Sequence, residues 1–211
     1  DAREQELQSQ RAQLNPHFLI NALNAVSAEV TRDPEEAREM LGQLGGLLRY
    51  SLDSGRRDLV PLAEEVSFVC DYLALEQARL GDRLAVTMDV DPALDAEIPP
   101  MALQTRAENA VRHGIAPAKG GGSLRVQTRR SGDHVEVRVE DTGVGASEES
   151  LATGGVGIAN TDERLRLLFG TGLDIDHDRA SGFAVSFRLP LRAPAGDGHL
   201  SAVADASPVA R

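Results

Sequence analysis

The sequence predicts an α+β protein in which a helical hairpin precedes a domain of mixed helices and strands. Two observations support this prediction. Residues 1–57 carry apolar residues at helical spacing, whereas from Leu59 onward alternating apolar positions and turn residues separate further helical stretches. We therefore divide the chain into a helical unit at 1–57, an α+β domain at 58–192 and a tail at 193–211. The Ala, Gly, Ser and Pro content of the tail predicts disorder.

The first helix is amphipathic and carries one histidine. In the stretch LNPHFLINALN, His17, Asn21 and Asn24 fall along one stripe. A second stripe with the same spacing is expected to pack against the rest of the protein; it contains Leu19, Leu23, Val26 and Val30. Pro16 is either the first helical residue or a kink in a longer helix. Taken alone, the pattern favours an ordinary exposed histidine.

The second helix has clear start signals, with Asp33 as the cap and Pro34 next to it. Its predicted apolar face contains Ala37, Met40, Leu41, Leu44, Leu47 and Leu48. Gly45 and Gly46 weaken the helix, and Gly55 is expected to end it. Because a two-helix hairpin is too small to bury both apolar stripes alone, we expect it to dimerise into a four-helix bundle.

The α+β domain is predicted to contain eight elements. In chain order these are a helix at 60–84, a strand at 84–91, a helix at 101–115, strands at 124–130 and 134–141, a helix at 157–170, and a last hairpin of strands at 173–178 and 183–191. We expect the strand pairs to be antiparallel and the helices to lie on one face of the sheet.

The composition argues against binding to nucleic acid. The 211 residues are 41% hydrophobic and 26% charged, with a formal net charge of −11 that opposes binding to a phosphate backbone. Aromatic residues, at 3%, are too scarce to supply a base-stacking surface. The single cysteine, Cys70, is expected to be a small core residue and fits a reducing compartment.

No stretch approaches the roughly 20 apolar residues of a membrane-spanning helix, and no secretory signal is present. The chain begins at Asp1 rather than at a methionine. We therefore expect a fragment whose upstream sensing or membrane-anchoring segment lies outside the sequence.

The stretch ENAVRHG, on the predicted helix at 101–115, brings an acid, an amide, a cation and an imidazole within two turns. These residues are Glu108, Asn109, Arg112 and His113. Taken alone, such a set is most often a solvated polar face.

Two glycine-rich stretches follow. In VEDTGVG a strand ends at Asp141, and Gly143 and Gly145 allow the backbone to turn sharply. An ionised Asp141 is an acceptor only, and it can receive a hydrogen bond from an amino group such as that of adenine. The stretch TGGVGIAN at 153–160 opens a helix, where free N–H groups favour anions. The segment 146–153 before it suits a mobile lid.

The order of these blocks resembles the ATP-binding domain shared by histidine kinases, Hsp90-type chaperones, gyrase and MutL. Together with LNPHFLINALN, LLRYSL and the long block at 60–84, residues 10–190 are similar to the LytS-type sensor histidine kinases. This resemblance implies a homodimeric helical hairpin followed by a Bergerat-type α/β sandwich that binds ATP and Mg²⁺. It also implies a cytoplasmic enzyme, with autophosphorylation on a histidine and transfer to an aspartate of a response-regulator receiver domain.

The resemblance assigns His17 as the phosphoacceptor. Asn21, one turn further on, is placed to hydrogen-bond the imidazole or to position water for dephosphorylation. Asn109 matches the Mg²⁺-binding asparagine, and Glu108 matches the acid that polarises or orients this site. Many histidine kinases have an acidic residue after the histidine, but Phe18 occupies that position here. The sequence therefore names no general base.

The same resemblance assigns the nucleotide pocket. Arg112 and His113 match positions near the phosphates, and Asp141 matches the adenine-recognising aspartate. The pocket and the lid border are matched by four glycines, namely Gly143, Gly145, Gly155 and Gly157.

One departure from the family is visible, since the usual PLVENA approach to Asn109 is here TRAENA. Thr105, Arg106 and Ala107 replace a proline and two larger apolar residues, which lowers the packing volume under the nucleotide site. Arg106 is expected to reach solvent or the nucleotide. This departure keeps open a degenerate kinase that signals through dimerisation without phosphotransfer. An anti-sigma-factor kinase, by contrast, would not need the hairpin that bears His17. Whether transfer occurs within one protomer or between two is also left open.

Overall fold

The computed structural model of the chain describes residues 16–54, 57–144, 156–178 and 182–192. The helices are α1 (Pro16–Arg32), α2 (Pro34–Ser54), α3 (Leu62–Leu80), α4 (Ala102–Asn109) and α5 (Val156–Phe169). The strands are β1 (Val60–Pro61), β2 (Leu84–Asp89), β3 (Glu97–Ile98), β4 (Gly122–Ser131), β5 (His134–Asp141), β6 (Asp174–Asp178) and β7 (Gly182–Pro190). A 3₁₀ turn occupies Gly81–Arg83, and a π-helical turn at Ala110–Ile115 continues α4.

The main sheet has five strands in the order β2-β4-β5-β7-β6. The expectation that all strand pairs are antiparallel is wrong, because β2 and β4 are parallel while the other neighbours in this sheet are antiparallel. The chain leaves β2, passes through α4 and returns to enter β4 in the same direction, which requires such a crossover. A short antiparallel pair of β1 and β3, with Val60 opposite Ile98, was not expected from the sequence.

The predicted inward faces of β4 and β5 are confirmed. Their alternating side chains are fully or almost fully buried, namely Leu124, Val126, Thr128, Val135, Val137 and Val139. This period-two burial is what a sheet with one face against helices requires.

The helical hairpin is present, with α1 and α2 joined at Asp33. The Asp33 carboxylate accepts hydrogen bonds from the N–H groups of Glu35 and Glu36, each at 3.1 Å, which confirms Asp33 as the cap of α2. The residue expected to end α2, Gly55, lies outside the described residues.

The buried stripe of the hairpin differs in part from the prediction. α1 buries Phe18, Ala22 and Val26, and α2 buries Ala37, Met40, Leu44 and Leu47. Several predicted packing residues are instead exposed, namely Leu23, Val30, Leu41 and Leu48. The reason is that α3 packs against the side of the hairpin that carries Phe18 and Ala22. The buried stripe of α1 is therefore the one that contains these two residues.

α3 lies between the hairpin and α4. Two ring contacts fix it to the hairpin: Phe18 with Tyr72, at 5.0 Å between centroids, and Tyr50 with Phe68, at 4.9 Å.

The prediction that Cys70 is a core residue is wrong, because this residue lies on the exposed face of α3. Within the described ranges, no helix is long and apolar enough to cross a membrane. The predicted tail at 193–211 and the lid at 146–153 fall outside these ranges.

Candidate active site

His17 lies in the first turn of α1, and its side chain is exposed. The carboxamide of Asn21 lies one turn away, with its nitrogen 3.0 Å from Nδ1 of the imidazole. A carboxamide can turn either its NH₂ or its oxygen toward this position. With the oxygen facing an Nδ1–H, Nε2 is the unprotonated nitrogen that carries a lone pair, and this is the tautomer that a nucleophilic imidazole needs.

The contact between Phe18 and Tyr72 brings the first turn of α1 against α3. One turn further along α3 lies Glu76, which is 4% exposed and accepts a hydrogen bond from the guanidinium of Arg79 at 3.0 Å. Burial raises the pKa of Glu76, and the hydrogen bond and charge of Arg79 oppose this effect, with a smaller contribution from the nearby His17. A buried carboxylate therefore lies within electrostatic range of His17.

The carboxyl-terminal end of α4 lies near the same part of α3, around Tyr72 and Glu76. Burial raises the pKa of Tyr72, and the negative charges of Glu76 and Glu108 raise it further. Glu108 also raises the pKa of Glu76, while Arg112 lowers that of Tyr72. We call the five charged or titratable residues His17, Glu76, Arg79, Glu108 and Arg112 the His17 cluster. Asn109 directly follows Glu108, a member of this cluster.

The predicted helix at 101–115 is only partly α-helical. It is an α-helix up to Asn109 and a π-helical turn from Ala110 to Ile115. Glu108 and Asn109 are half-buried at this junction, whereas Arg112 and His113 are exposed on the turn. Single π-helical turns widen a helix and are frequent at functional sites. The sequence pattern does not reveal this change, because both helix types place apolar residues at similar spacing.

Asp141 is buried at the end of β5, where it is 4% exposed. Its Oδ1 accepts a hydrogen bond from the N–H of Gly143 at 2.9 Å. The backbone of Gly114 lies so close that a Cβ there would be 2.5 Å from Oδ1, and a Cβ on Gly143 would be 2.1 Å from the carbonyl carbon of Gly114. Burial raises the pKa of Asp141, and the Gly143 N–H and the charge of Arg106 oppose it.

Arg106 does not reach solvent, contrary to one of the two expectations. It is 1% exposed and its guanidinium lies 4.8 Å from the ring centre of Phe183. Its Nε has no hydrogen-bond partner among the described residues. Burial lowers the pKa of Arg106 to about 10, against the charge of Asp141. The long side chain thus takes up core space beside the small Ala107, which is also fully buried.

The remaining predicted glycines are only partly described. Gly157 is the second residue of α5. Gly145 and Gly155 lie outside the described residues, so their predicted contacts with nucleotide stay predictions.

The donor set around Asn109 fits a cation that is held mainly by a nucleotide. Over the described part of the chain, no group of three or more His, Cys, Asp or Glu side chains is placed to hold a metal ion. Mg²⁺ keeps several waters and binds phosphate oxygens, so it needs only one or two protein oxygens. The side-chain oxygen of Asn109 is a suitable ligand of this kind.

Three residues of this region were missed in the sequence, namely Glu65, Glu76 and Arg79. Glu65 and Glu76 share the buried stripe of α3 with Val69 and Tyr72 at spacings of four, three and four residues. Acidic residues on an otherwise apolar stripe were the available signal, because a carboxylate is seldom buried without partners.

Comparison with known proteins identifies the family. The family described as "Histidine kinase" matches residues 5–84, and "Histidine kinase-, DNA gyrase B-, and HSP90-like ATPase" matches residues 100–193. The uncharacterized protein YwpD of Bacillus subtilis strain 168 is 32% identical over 204 residues, which cover 92% of this chain and 73% of YwpD. The chain belongs to the histidine kinase family.

Two named relatives are a sensor histidine kinase and a sensor protein. The sensor histidine kinase YpdA of Escherichia coli K12 is 34% identical over 197 residues, or 90% of this chain. The sensor protein LytS of Enterococcus faecalis is 34% identical over 203 residues, again 90% of this chain. The chain spans about a third of the length of these relatives, at 35% and 34%.

Two solved structures of histidine kinases are less similar in sequence to this chain than the relatives named above. The histidine kinase domain of the Erythrobacter litoralis EL346 blue-light activated kinase is 17% identical, covers 90% of this chain and 95% of that chain, and has a TM-score of 0.49. The catalytic domain of ThkA is 16% identical, covers 64% and 99%, and also has a TM-score of 0.49. These likenesses add nothing to what the sequence matches establish.

Proposed function

We propose that the chain is the catalytic region of a sensor histidine kinase that transfers the γ-phosphoryl group of ATP to His17. The phosphoryl group then passes to an aspartate of a response-regulator receiver domain. The observation that supports this proposal is that the turn of α1 that carries His17 packs on α3 through Phe18 and Tyr72, while Glu65 of α3 binds the start of α4. Asn109, the candidate Mg²⁺ ligand, is the last residue of α4.

In the proposed transfer, Nε2 of His17 attacks the γ-phosphorus of ATP. A nitrogen–phosphorus bond forms, the bond to the bridging β–γ oxygen breaks, and ADP leaves with the electron pair. The proton remains on Nδ1, where the Asn21 oxygen accepts its hydrogen bond and stabilises the developing positive charge. Phosphoryl transfer depends mainly on such positioning and on charge neutralisation.

The nucleotide is held by the residues that end β5 and α4. Asp141 accepts a hydrogen bond from the adenine amino group, and Gly143 and Gly145 allow the base to approach the backbone. Arg112 and His113 contact the phosphates, and Asn109 is a ligand of Mg²⁺. When bound, Mg²⁺ neutralises charge on the phosphates.

In this proposal Gly155 and Gly157 lie next to the phosphates, as the resemblance to the family implies. Because the reaction needs ATP and a receiver domain, we place this region in the cytoplasm. A sensing or membrane-anchoring segment upstream belongs to the same proposal.

We further propose a homodimer that forms through α1 and α2. Both helices expose an apolar stripe on the side away from α3. It comprises Ile20, Leu23 and Val30 on α1 and Leu41, Leu48 and Leu52 on α2, with exposures from 37% to 74%. Pairing two hairpins would bury these stripes in a four-helix bundle.

The test is incubation of the purified chain with Mg²⁺ and γ-labelled ATP, followed by mapping of the label. We expect an acid-labile label on His17 that is absent from His17→Gln and unchanged in His134→Gln, whose histidine is exposed at the start of β5. An acid-stable label, or a label that persists in His17→Gln, would contradict the proposal. ATP binding without any label would instead favour the degenerate kinase.

A further inference from the structure

Glu65 is a buried carboxylate that the proposed reaction does not use. It lies in the first turn of α3 and is 0% exposed. Its Oε1 accepts hydrogen bonds from the Tyr50 hydroxyl and from the N–H of Met101, the latter at 2.7 Å. Its Oε2 accepts from the N–H groups of Leu103 at 3.0 Å and Gln104 at 3.4 Å. One side chain of α3 therefore joins α2 to the beginning of α4.

The three backbone donors belong to the end of α4 that lacks partners within the helix. The first N–H groups of any helix have no intrahelical acceptor, and a negative charge is favoured there by the helix dipole. Here the acceptor comes from another helix rather than from a local cap. Since α4 has only eight residues and ends at Asn109, about two helical turns separate the groups that Glu65 binds from Asn109.

The residue before α4 is held from several sides. Met101 has φ of 68°, a left-handed conformation that is costly for a residue with a side chain and persists only when neighbours enforce it. Glu65 binds its N–H, and the Ser54 hydroxyl of α2 donates to its sulfur at 3.7 Å. From α5, the Arg164 guanidinium donates to the carbonyl of Pro100 at 3.4 Å.

We propose that Glu65 is a positioning residue that couples α2 to α4 and so sets where Glu108 and Asn109 lie relative to His17. This inference rests on the proposed function, because it names the regulation of that same site. Tyr50 supplies the hydrogen bond that comes from the hairpin. A movement of α2 that withdraws Tyr50 leaves Glu65 with its backbone donors alone, and α4 is then free to shift.

Two variants remove parts of the hydrogen-bonded link between α2 and α4, and a third serves as a control. Tyr50→Phe removes only the hydroxyl and keeps the ring that contacts Phe68 at 4.9 Å. Glu65→Gln keeps the size of the side chain but replaces one acceptor oxygen by a donor. The matched control is Glu64→Gln, which removes a neighbouring carboxylate whose hydrogen-bond partner is Arg57 at 2.6 Å.

The experiment uses the whole chain at a temperature where every variant is folded. Three quantities are measured: hydrogen exchange of the Leu103 and Gln104 amides, the affinity for ADP, and the rate of His17 labelling at saturating ATP. In Tyr50→Phe we expect faster exchange of both amides and a labelling rate reduced roughly tenfold, with Glu64→Gln unchanged. Glu65→Gln should show the same changes, and the double variant no further loss, because Tyr50 acts through Glu65.

Unchanged amide exchange and an unchanged labelling rate in Tyr50→Phe would overturn the proposal, even if the melting temperature falls. If Glu65→Gln does not fold, Tyr50→Phe alone decides. If the wild-type chain is never labelled on His17, the proposed function fails. Exchange and ADP affinity then still show whether Tyr50 controls α4.

Discussion

At the residue scale, charged groups buried near the candidate nucleotide site define its chemistry. Arg106 and Asp141 are both almost fully buried, and each shifts the pKa of the other. An ionised Asp141 accepts a stronger hydrogen bond from an adenine amino group than the neutral acid does, because the bond is charge-assisted. The charge of Arg106 therefore helps to keep this acceptor ionised in a site where burial favours the neutral acid.

Arg106→Leu should shift the pH dependence of nucleotide binding. The pKa of Asp141 is already raised by burial, and removal of the arginine charge raises it further. The ionised form of Asp141 is the form that binds the nucleotide well. The affinity for ADP is therefore high above the pKa of Asp141 and decreases as the pH falls through it. Titration of ADP from neutral to mildly acidic pH should show affinity falling at a higher pH in the variant than in the wild type. Superimposable profiles would contradict the assigned role of Asp141.

Some residues near the candidate site could be predicted from the sequence, whereas the buried glutamates Glu65 and Glu76 could not. His17, Asn21 and the residues around Asn109 could be predicted from their motif, and in the structure Asn21 lies beside His17. Glu65 and Glu76 were missed, because a glutamate in a helix is usually exposed and its partners come from distant segments. Tyr50 and Met101 lie 15 and 36 residues from Glu65, beyond any local pattern.

At the element scale, the π-helical turn after α4 and the end of β5 interlock. Gly114 lies against the Asp141 carboxylate, and its carbonyl accepts a hydrogen bond from the N–H of Val144 at 2.9 Å. This contact places the turn that carries Arg112 and His113 directly beside the strand end that carries Asp141. No side chain can be accommodated between them.

Gly114→Ala should therefore disrupt the site. The added Cβ would lie 2.5 Å from Oδ1 of Asp141, so the carboxylate has to move. Overpacking of this kind costs about 1–3 kcal/mol in stability, and we expect a parallel loss of ADP affinity. Gly120→Ala is the matched control, because a Cβ there meets nothing within 4 Å. Thermal unfolding and ADP titration measure both effects, and equal behaviour of the two variants would refute the steric argument.

The elements themselves could largely be predicted, because helix and strand periodicities differ. The predicted strands at 124–130 and 134–141 lie within β4 and β5, and the Asp33 cap is confirmed. The parallel direction of β2 and β4 could not be predicted, since strand direction depends on the path of the chain between them. The exposed leucines of the hairpin could not be assigned to contacts within one chain for a similar reason, as only the position of α3 decides which stripe is buried there, and the proposed dimer would cover the other stripe.

At the scale of the whole molecule, the apolar surface on α1 and α2 is the candidate dimer interface. Leu23 is 50% exposed and Leu52 is 74% exposed, and each lies on a stripe of its helix that faces away from α3. Isolated exposed leucines are ordinary, but stripes on two adjacent helices mark an interaction surface.

Leu23→Glu combined with Leu52→Glu should convert the dimer to a monomer, because four charges would be buried in the bundle. Light scattering or sedimentation equilibrium measures the mass directly. Leu167→Glu is the control, since this residue of α5 is 78% exposed and lies outside the hairpin. A dimer that persists in the double variant would exclude this interface. His17 labelling of the monomer would show that transfer occurs within one chain.

The position of α3 between the hairpin and α4 also has an evolutionary consequence. Its Tyr72 and Phe68 pack on α1 and α2, while its Glu65 caps α4, so one stripe of this helix contacts both functional parts. Recombination that joined a foreign hairpin to this α3 would mismatch the hairpin contacts and, through the Tyr50–Glu65 hydrogen bond, disturb the start of α4. We therefore expect viable chimaeras between relatives to exchange residues from α1 to the end of α4 as a unit, with new sensors joined upstream of His17.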